Sequence, residues 1–294
     1  MEAPVLTRPP FAVVGSLGPL QVGAELVACF AQLGGRTDRL EHAHTLASRS
    51  IGLPETDPLL VAGLAIARDI DHGIGAGVAA GYHNGQHFLE VMLCALYLAR
   101  LACFDPRRTA RVVTAALMHD FHHDGKGNAQ IPFRLERISV NRSASYLSAA
   151  CMPEIQRRNI AALVLATEVV NGLAIAHACH AYHDGAALLP EIHAAAPELA
   201  QLAAYPIVSR QALIVCEADV LPSIGLDIEH ALQLQTNLSM EQGRHLGLKD
   251  KYRFVTEGFP GFIIGIYFQP NLERLRQFLR ERMNLDTADQ SDAD

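Results

Sequence analysis

Tyr82-His83-Asn84-Gly85-Gln86-His87 runs directly into Phe88-Leu89-Glu90-Val91-Met92-Leu93-Cys94-Ala95-Leu96, and this join decides the fold. All but Glu90 of the second stretch are apolar, with no period-two alternation, which reads as a largely buried helix. If that helix takes in the first stretch, His83 and His87 project from one face, one turn apart. A second join has the same form. Residues 111–118 read as an apolar helix that delivers His119 and Asp120 at its end, with His122 and His123 just beyond. Should this helix continue, His119 and His123 also share a face.

Working outward, apolar residues recur at three- and four-residue intervals near 21–33, 37–50 and 57–70. Asp57-Pro58 and Asp105-Pro106 have the form of helix starts, a capping carboxylate followed by proline at the first helical position. Further helices are expected at 153–170, 207–221, 227–243 and 271–283, the last amphipathic. Extended alternating runs are scarce, so the expected fold is all-α. The organisation expected is an N-terminal helical extension (1–60) packed on one catalytic domain (61–284), then a frayed acidic tail (285–294).

Of 294 residues, 50% are hydrophobic and 19% charged, ample for a substantial buried core. A net charge of -7 argues against a broad surface for a nucleic acid polymer. It leaves room for a small anionic substrate, because bound metals reverse the local potential. The six cysteines form no C-x-x-C pair and lie mostly in apolar runs, which fits free thiols in a reducing compartment. The apolar stretch 11–30 is interrupted by Pro19, Gln21 and Glu25 and does not read as a secretion signal, and 259–268 is too short to span a bilayer. A cytoplasmic protein without a membrane partner is expected.

Fourteen histidines make chance pairs easy, so spacing alone is weak. The combination carries more: each pair abuts a strongly apolar helix, and Asp120 must be buried or nearly so. A buried carboxylate among imidazoles requires positive charge, and divalent metal ions supply it. The ladder His177, His180 and His183 has no fixed carboxylate and reads as a solvated face or lid segment. Gly73, Gly75, Gly77 and Gly81 lack a strand-to-helix phosphate-loop context and are expected to permit a bend or close packing.

From about Tyr82 to Leu272 the chain resembles the HD superfamily of metal phosphohydrolases, specifically its class I 3′,5′-cyclic nucleotide phosphodiesterase branch. The resemblance rests on Tyr-His-Asn-x-x-His at 82–87, His-Asp-x-x-His at 119–123 followed by Gly125 and Asn128, Leu165-Ala166-Thr167-Glu168, and Ala218-Asp219, in that order. It implies a compact multi-helix hydrolase with a binuclear centre. His87, His119, Asp120 and Asp219 would hold the tighter metal, with Asp120 bridging to a second. Asn84, Thr167 and Glu136 would support that centre, Thr167 together with His123 touching its waters. His83 would be the general acid, His123 a further catalytic group, and Tyr82, Phe259 and Phe262 would meet the substrate. Two cations flanking a water lower its pKa from about 15.7 towards roughly 7 and offset charge on the phosphoryl oxygens, so a metal-bound hydroxide is the implied nucleophile. Manganese, magnesium, zinc, cobalt and iron all suit such ligands.

The sequence also departs from this family. The glutamine that reads the purine lies three residues before a phenylalanine; aligning on Phe262 puts Phe259 there, and aligning on Phe259 puts Thr256 there. Neither is an amide. Glu168 stands where the family has aspartate and Asp124 where it has proline, both read as able to reach metal-bound water. The leading expectation is a two-metal phosphodiesterase acting on a small cyclic phosphodiester. The rivals are an HD-type phosphohydrolase of a nucleotide monoester or other phosphate ester, an HD-type di-iron oxygenase, and a nucleotide-sensing module without turnover.

Overall fold

A computed structural model describes residues 5–79, 81–128, 130–187 and 191–291, with side chains through Met283. Among the described residues there are thirteen α-helices and no strand. In chain order they are α1 (Pro19–Gly34), α2 (Arg39–Ile51), α3 (Pro58–Asp71), α4 (Gly85–Leu101), α5 (Pro106–Met118), α6 (Arg134–Ala149), α7 (Glu154–Leu165), α8 (Asn171–His183), α9 (Ala200–Ala204), α10 (Pro206–Ile224), α11 (Ile228–Gln242), α12 (Leu248–Arg253) and α13 (Gln269–Ser291). The all-α expectation holds. Four elements escaped the sequence reading, the short α9 and α12 among them. α6 is mostly polar, and the expected helix over 153–170 breaks after Leu165, α8 starting afresh at Asn171.

The starts read from Asp-Pro pairs are where they were expected. Asp57 Oδ1 accepts from the backbone N–H of Leu59 (3.0 Å), and Asp105 Oδ1 from that of Arg108 (2.8 Å). At the centre lies α4, of which only Gln86, Arg100 and Leu101 are not buried. A helix apolar all round must be covered all round, and α2, α5, α10 and α1 pack against it. Glu90 is the exception on this helix. Its buried carboxylate is held by His230 Nε2 of α11 (3.0 Å) and by Gln86 Nε2 (2.9 Å).

One continuous core runs from Phe11 through Leu279, so residues 5–60 share their apolar contacts with the remainder. α13 continues to Ser291, into the segment set apart as a tail. The six cysteines are all free. No single helix among the described residues is long and apolar enough to cross a membrane.

Two local expectations are corrected. Helix α4 starts at Gly85, and Asn84 is its extended N-cap, its Oδ1 accepting from the N–H groups of Gln86 (2.8 Å) and His87 (3.2 Å). His83 therefore precedes the helix instead of sharing its face with His87. Likewise α5 ends at Met118, and His122 has φ 67°, so His123 reaches its place through a turn. A left-handed residue cannot continue a right-handed helix.

Candidate metal centre

Three helices meet where the predicted ligands lie. α4 contributes His87 from its first turn, the end of α5 contributes His119 and Asp120, and α10 contributes Asp219. His87 Nε2 is 3.1 Å from His119 Nε2, 3.2 Å from Asp120 Oδ2 and 3.2 Å from Asp219 Oδ1. His119 Nε2 is 3.0 Å from Asp120 Oδ2 and 3.5 Å from Asp219 Oδ1. These four donor atoms all lie within 4.8 Å of one another. The structure thus brings together the four residues expected as ligands.

Their chemistry fits a divalent cation. His119 Nδ1 donates to the backbone carbonyl of Ala116 (2.7 Å), which leaves Nε2 as the lone pair facing the cluster. Two imidazole nitrogens 3.1 Å apart, walled in by two carboxylates, need a positive charge between them. Protons alone show the same demand. Burial opposes charge on His87 and His119, yet the Asp120 and Asp219 carboxylates outweigh it and raise both pKa values. Burial pushes Asp120 and Asp219 upward, and the histidines overcome it and hold both below the ordinary carboxylate range.

Asp120 also belongs to a second group, with His83 and His123. His83 Nε2 lies 3.7 Å from Asp120 Oδ2, and its ring stacks on that of His123 at 3.8 Å and 22°. His123 Nδ1 accepts from the backbone N–H of Gly125 (3.1 Å), and burial lowers its pKa despite the pull of Asp120. A partner missing from the sequence reading completes this group. Glu241, from α11, accepts from His83 Nδ1 (2.6 Å) and from the His83 backbone N–H (2.9 Å). No motif marks Glu241; it is 158 residues from His83 and reaches it only in the folded chain.

The glycine-rich stretch before His83 permits these approaches, as expected. Gly77 (φ 72°) lies under the His83 carbonyl, which accepts from the Val78 N–H (2.7 Å), and a Cβ there would overlap that oxygen. A Cβ on Gly81 would overlap the Glu241 carboxylate.

Both groups open onto a cavity of about 470 Å³, with Tyr82, Asn128, Glu136 and Thr167 in its wall. Tyr82 sets its ring 4.6 Å from that of His87. Thr167 Oγ1 donates to the Val164 carbonyl (2.8 Å). Glu136 accepts from Asn128 Nδ2 (3.0 Å), and burial pushes its carboxyl up to about 7.

Other expected contacts are elsewhere. Asn84 is occupied as a helix cap and by donation to the Gly81 carbonyl (2.7 Å). Glu168 Oε2 accepts from the N–H groups of Asn171 (2.5 Å) and Gly172 (3.1 Å) at the start of α8, and Asp124 pairs with Arg134 (2.7 Å). Both carboxylates are thus engaged by backbone amides or an arginine and not by the His/Asp cluster. Phe259 and Phe262 are buried against each other (5.0 Å, 67°), and neither lines the cavity. Gly225 and Gly265 leave room for the Phe262 ring inside the core. Phe254 lines the cavity instead, together with Leu234, Leu238 and Leu246. Thr256 is exposed, donating to the Tyr252 carbonyl (2.7 Å).

No protein-family model matches the sequence, and no curated protein does. Solved structures do match. LmjPDEB1 in complex with IBMX aligns with a TM-score of 0.59 at 12% identity, over 93% of this chain and 95% of that one. The phosphodiesterase domain of the Salpingoeca rosetta rhodopsin phosphodiesterase aligns at 0.56 and 15%, over 98% and 97%. The phosphodiesterase domain of the RhoPDE fusion protein from the same choanoflagellate aligns at 0.52 and 15%, over 98% and 96%. The chain has the fold of a phosphodiesterase catalytic domain.

Proposed function

We propose that the chain is a metal-dependent phosphodiesterase that hydrolyses a small cyclic phosphodiester of the 3′,5′-cyclic nucleotide type. The observation that carries this is the convergence of His87, His119, Asp120 and Asp219 within 4.8 Å at one end of a ligand-sized cavity, on a phosphodiesterase fold. Those four side chains would hold one divalent cation, and Asp120, common to both clusters, would bridge to a second. Bound there, the ions supply Lewis acidity that activates water and offsets charge on the phosphoryl oxygens.

The chain's own groups do the rest. In hydrolysis a water oxygen bonds to phosphorus, the P–O bond to the leaving oxygen breaks, and that oxygen needs a proton. We assign that donation to His83 Nε2. Glu241 holds Nδ1 at 2.6 Å, fixing the ring so that its other nitrogen faces Asp120 and the cavity. A general acid of this kind is worth about 10²–10⁴-fold. Stacking of His123 on the His83 ring restricts it further. Phe254, Leu234 and Leu238 give the cavity an apolar wall suited to a planar ring, and IBMX in LmjPDEB1 is a small molecule bound to this fold.

The test is turnover of 3′,5′-cyclic AMP by manganese-loaded protein, with chromatographic identification of the product. Formation of 5′-AMP supports the assignment. No product from protein shown to hold manganese rejects it.

A further inference from the structure

We propose that Lys251 selects the substrate, pairing with an anionic oxygen on the part of the molecule remote from the scissile phosphoryl group. The proposal rests on the phosphodiesterase reading above. Lys251, on α12, lines the same cavity as Asp120 and Asp219. It is 7% exposed, yet no carboxylate pairs with it and no hydrogen bond reaches its ammonium among the described residues. An ammonium on a largely buried stem that faces a cavity, with no carboxylate beside it, attracts a ligand anion. Asp250, its chain neighbour, also lines the cavity, where its carboxylate accepts from the Gly247 N–H (2.8 Å) and forms no pair with Lys251. Arg244, also in the wall, is exposed and donates to Gln242 (2.9 Å), so Lys251 is the buried lysine or arginine of this wall.

Lys251 is not a member of either His/Asp group, and two further observations fit a contact outside them. Burial is the one influence on the Lys251 pKa, which it pushes down to about 8; no carboxylate of the metal cluster acts on it. The lysine still carries its charge at neutral pH. The turn that leads into its helix is braced. Gln235 donates Nε2 to the carbonyls of Leu246 (2.8 Å) and Gly247 (2.6 Å), at the turn from which α12 starts. Gln235 Oε1 is itself buried without a partner, a second polar atom in the same wall awaiting one. The substrate class that fits is a phosphodiester with an additional anionic group on its alcohol portion.

A matched pair of probes tests this: 4-nitrophenyl 4-carboxyphenyl phosphate and the same compound with its carboxylate methylated. Manganese-loaded wild type should favour the charged ester by about tenfold or more in kcat/KM, the scale of one charge-assisted contact. Lys251→Met should bring that ratio near one, and Lys251→Arg should keep it. Equal rates in the wild type, or an unchanged ratio in Lys251→Met, overturn the proposal. Release of 4-nitrophenol from neither ester, with no turnover of 3′,5′-cyclic AMP either, would instead reject the phosphodiesterase reading. Calorimetric binding of the two compounds then decides the matter for Lys251: a preference for the charged one that Lys251→Met abolishes supports it, and equal affinities overturn it.

Discussion

Replacing Glu217 with alanine removes the carboxylate on which the turn before α13 rests. Glu217 is fully buried in α10; its Oε1 accepts from the N–H groups of Ile263 (2.7 Å) and Ile264 (3.0 Å), and its Oε2 from that of Gly265 (2.5 Å). Each buried donor left without an acceptor costs about 1–3 kcal/mol. Ile263 and Ile264 are part-exposed and recover some of that from water, so the expected loss is about 3–6 kcal/mol. In a chain of this size that is a fall of roughly 5–10 °C in Tm. Burial, the largest influence, pushes the Glu217 carboxyl up to about 7 while the three amides pull it down. The unfolded chain releases this proton near the ordinary value of 4.5 and the folded chain near 7, so the folded state binds more proton in between. Stability should therefore fall as pH rises through that window, by about 3 kcal/mol. Glu217→Gln has no proton to lose and should remove that part of the slope. The assay is urea unfolding of wild type, Glu217→Ala and Glu217→Gln at pH 5 and 8. A loss below about 1 kcal/mol in Glu217→Ala, or identical pH slopes in wild type and Glu217→Gln, would refute the reasoning.

Glu241→Gln should lower kcat by about 10-fold or more, bounded by the 10²–10⁴-fold expected for His83→Asn, because Glu241 acts through His83. The double variant should be no slower than His83→Asn, and additive losses would contradict the coupling. His44, 1% exposed beside Gly63, has its pKa lowered by burial from 6.5 to about 4. The unfolded chain takes up this proton first, so stability should drop as pH falls from 6.5 to 4, by about 3 kcal/mol. His44→Leu should flatten that limb in urea unfolding, and an unchanged limb would count against a buried neutral imidazole.

The four side chains of the His/Asp cluster were legible because their chemistry is local. Imidazole and carboxylate groups at the ends of apolar runs have little else to do once buried. The ends of α4 and α5 were read too far, since Asn84 acts as a cap and His122 turns left-handed where a continuous helix was expected. α6 was missed because Arg134, Glu136, Arg137 and Asn141 dilute its apolar pattern. Glu241, Lys251 and Phe254 carry no motif. Their positions follow from the packing of α11 and α12, a long-range result that spacing along the chain does not encode. Phe259 and Phe262 illustrate the converse: a matching step in the sequence is turned inward once Glu217 takes the amides that follow it.

The most direct test of the metal centre is to measure manganese content and 3′,5′-cyclic AMP turnover side by side in wild type and Asp120→Asn. Asp120 Oδ2 lies 3.0 Å from His119 Nε2 and 3.2 Å from His87 Nε2, and belongs to both clusters. The wild type should bind manganese and form 5′-AMP, whereas Asp120→Asn should keep its helical circular dichroism, bind less metal and lose turnover. Near-normal turnover in Asp120→Asn, or a wild type that binds no divalent ion, would contradict the account.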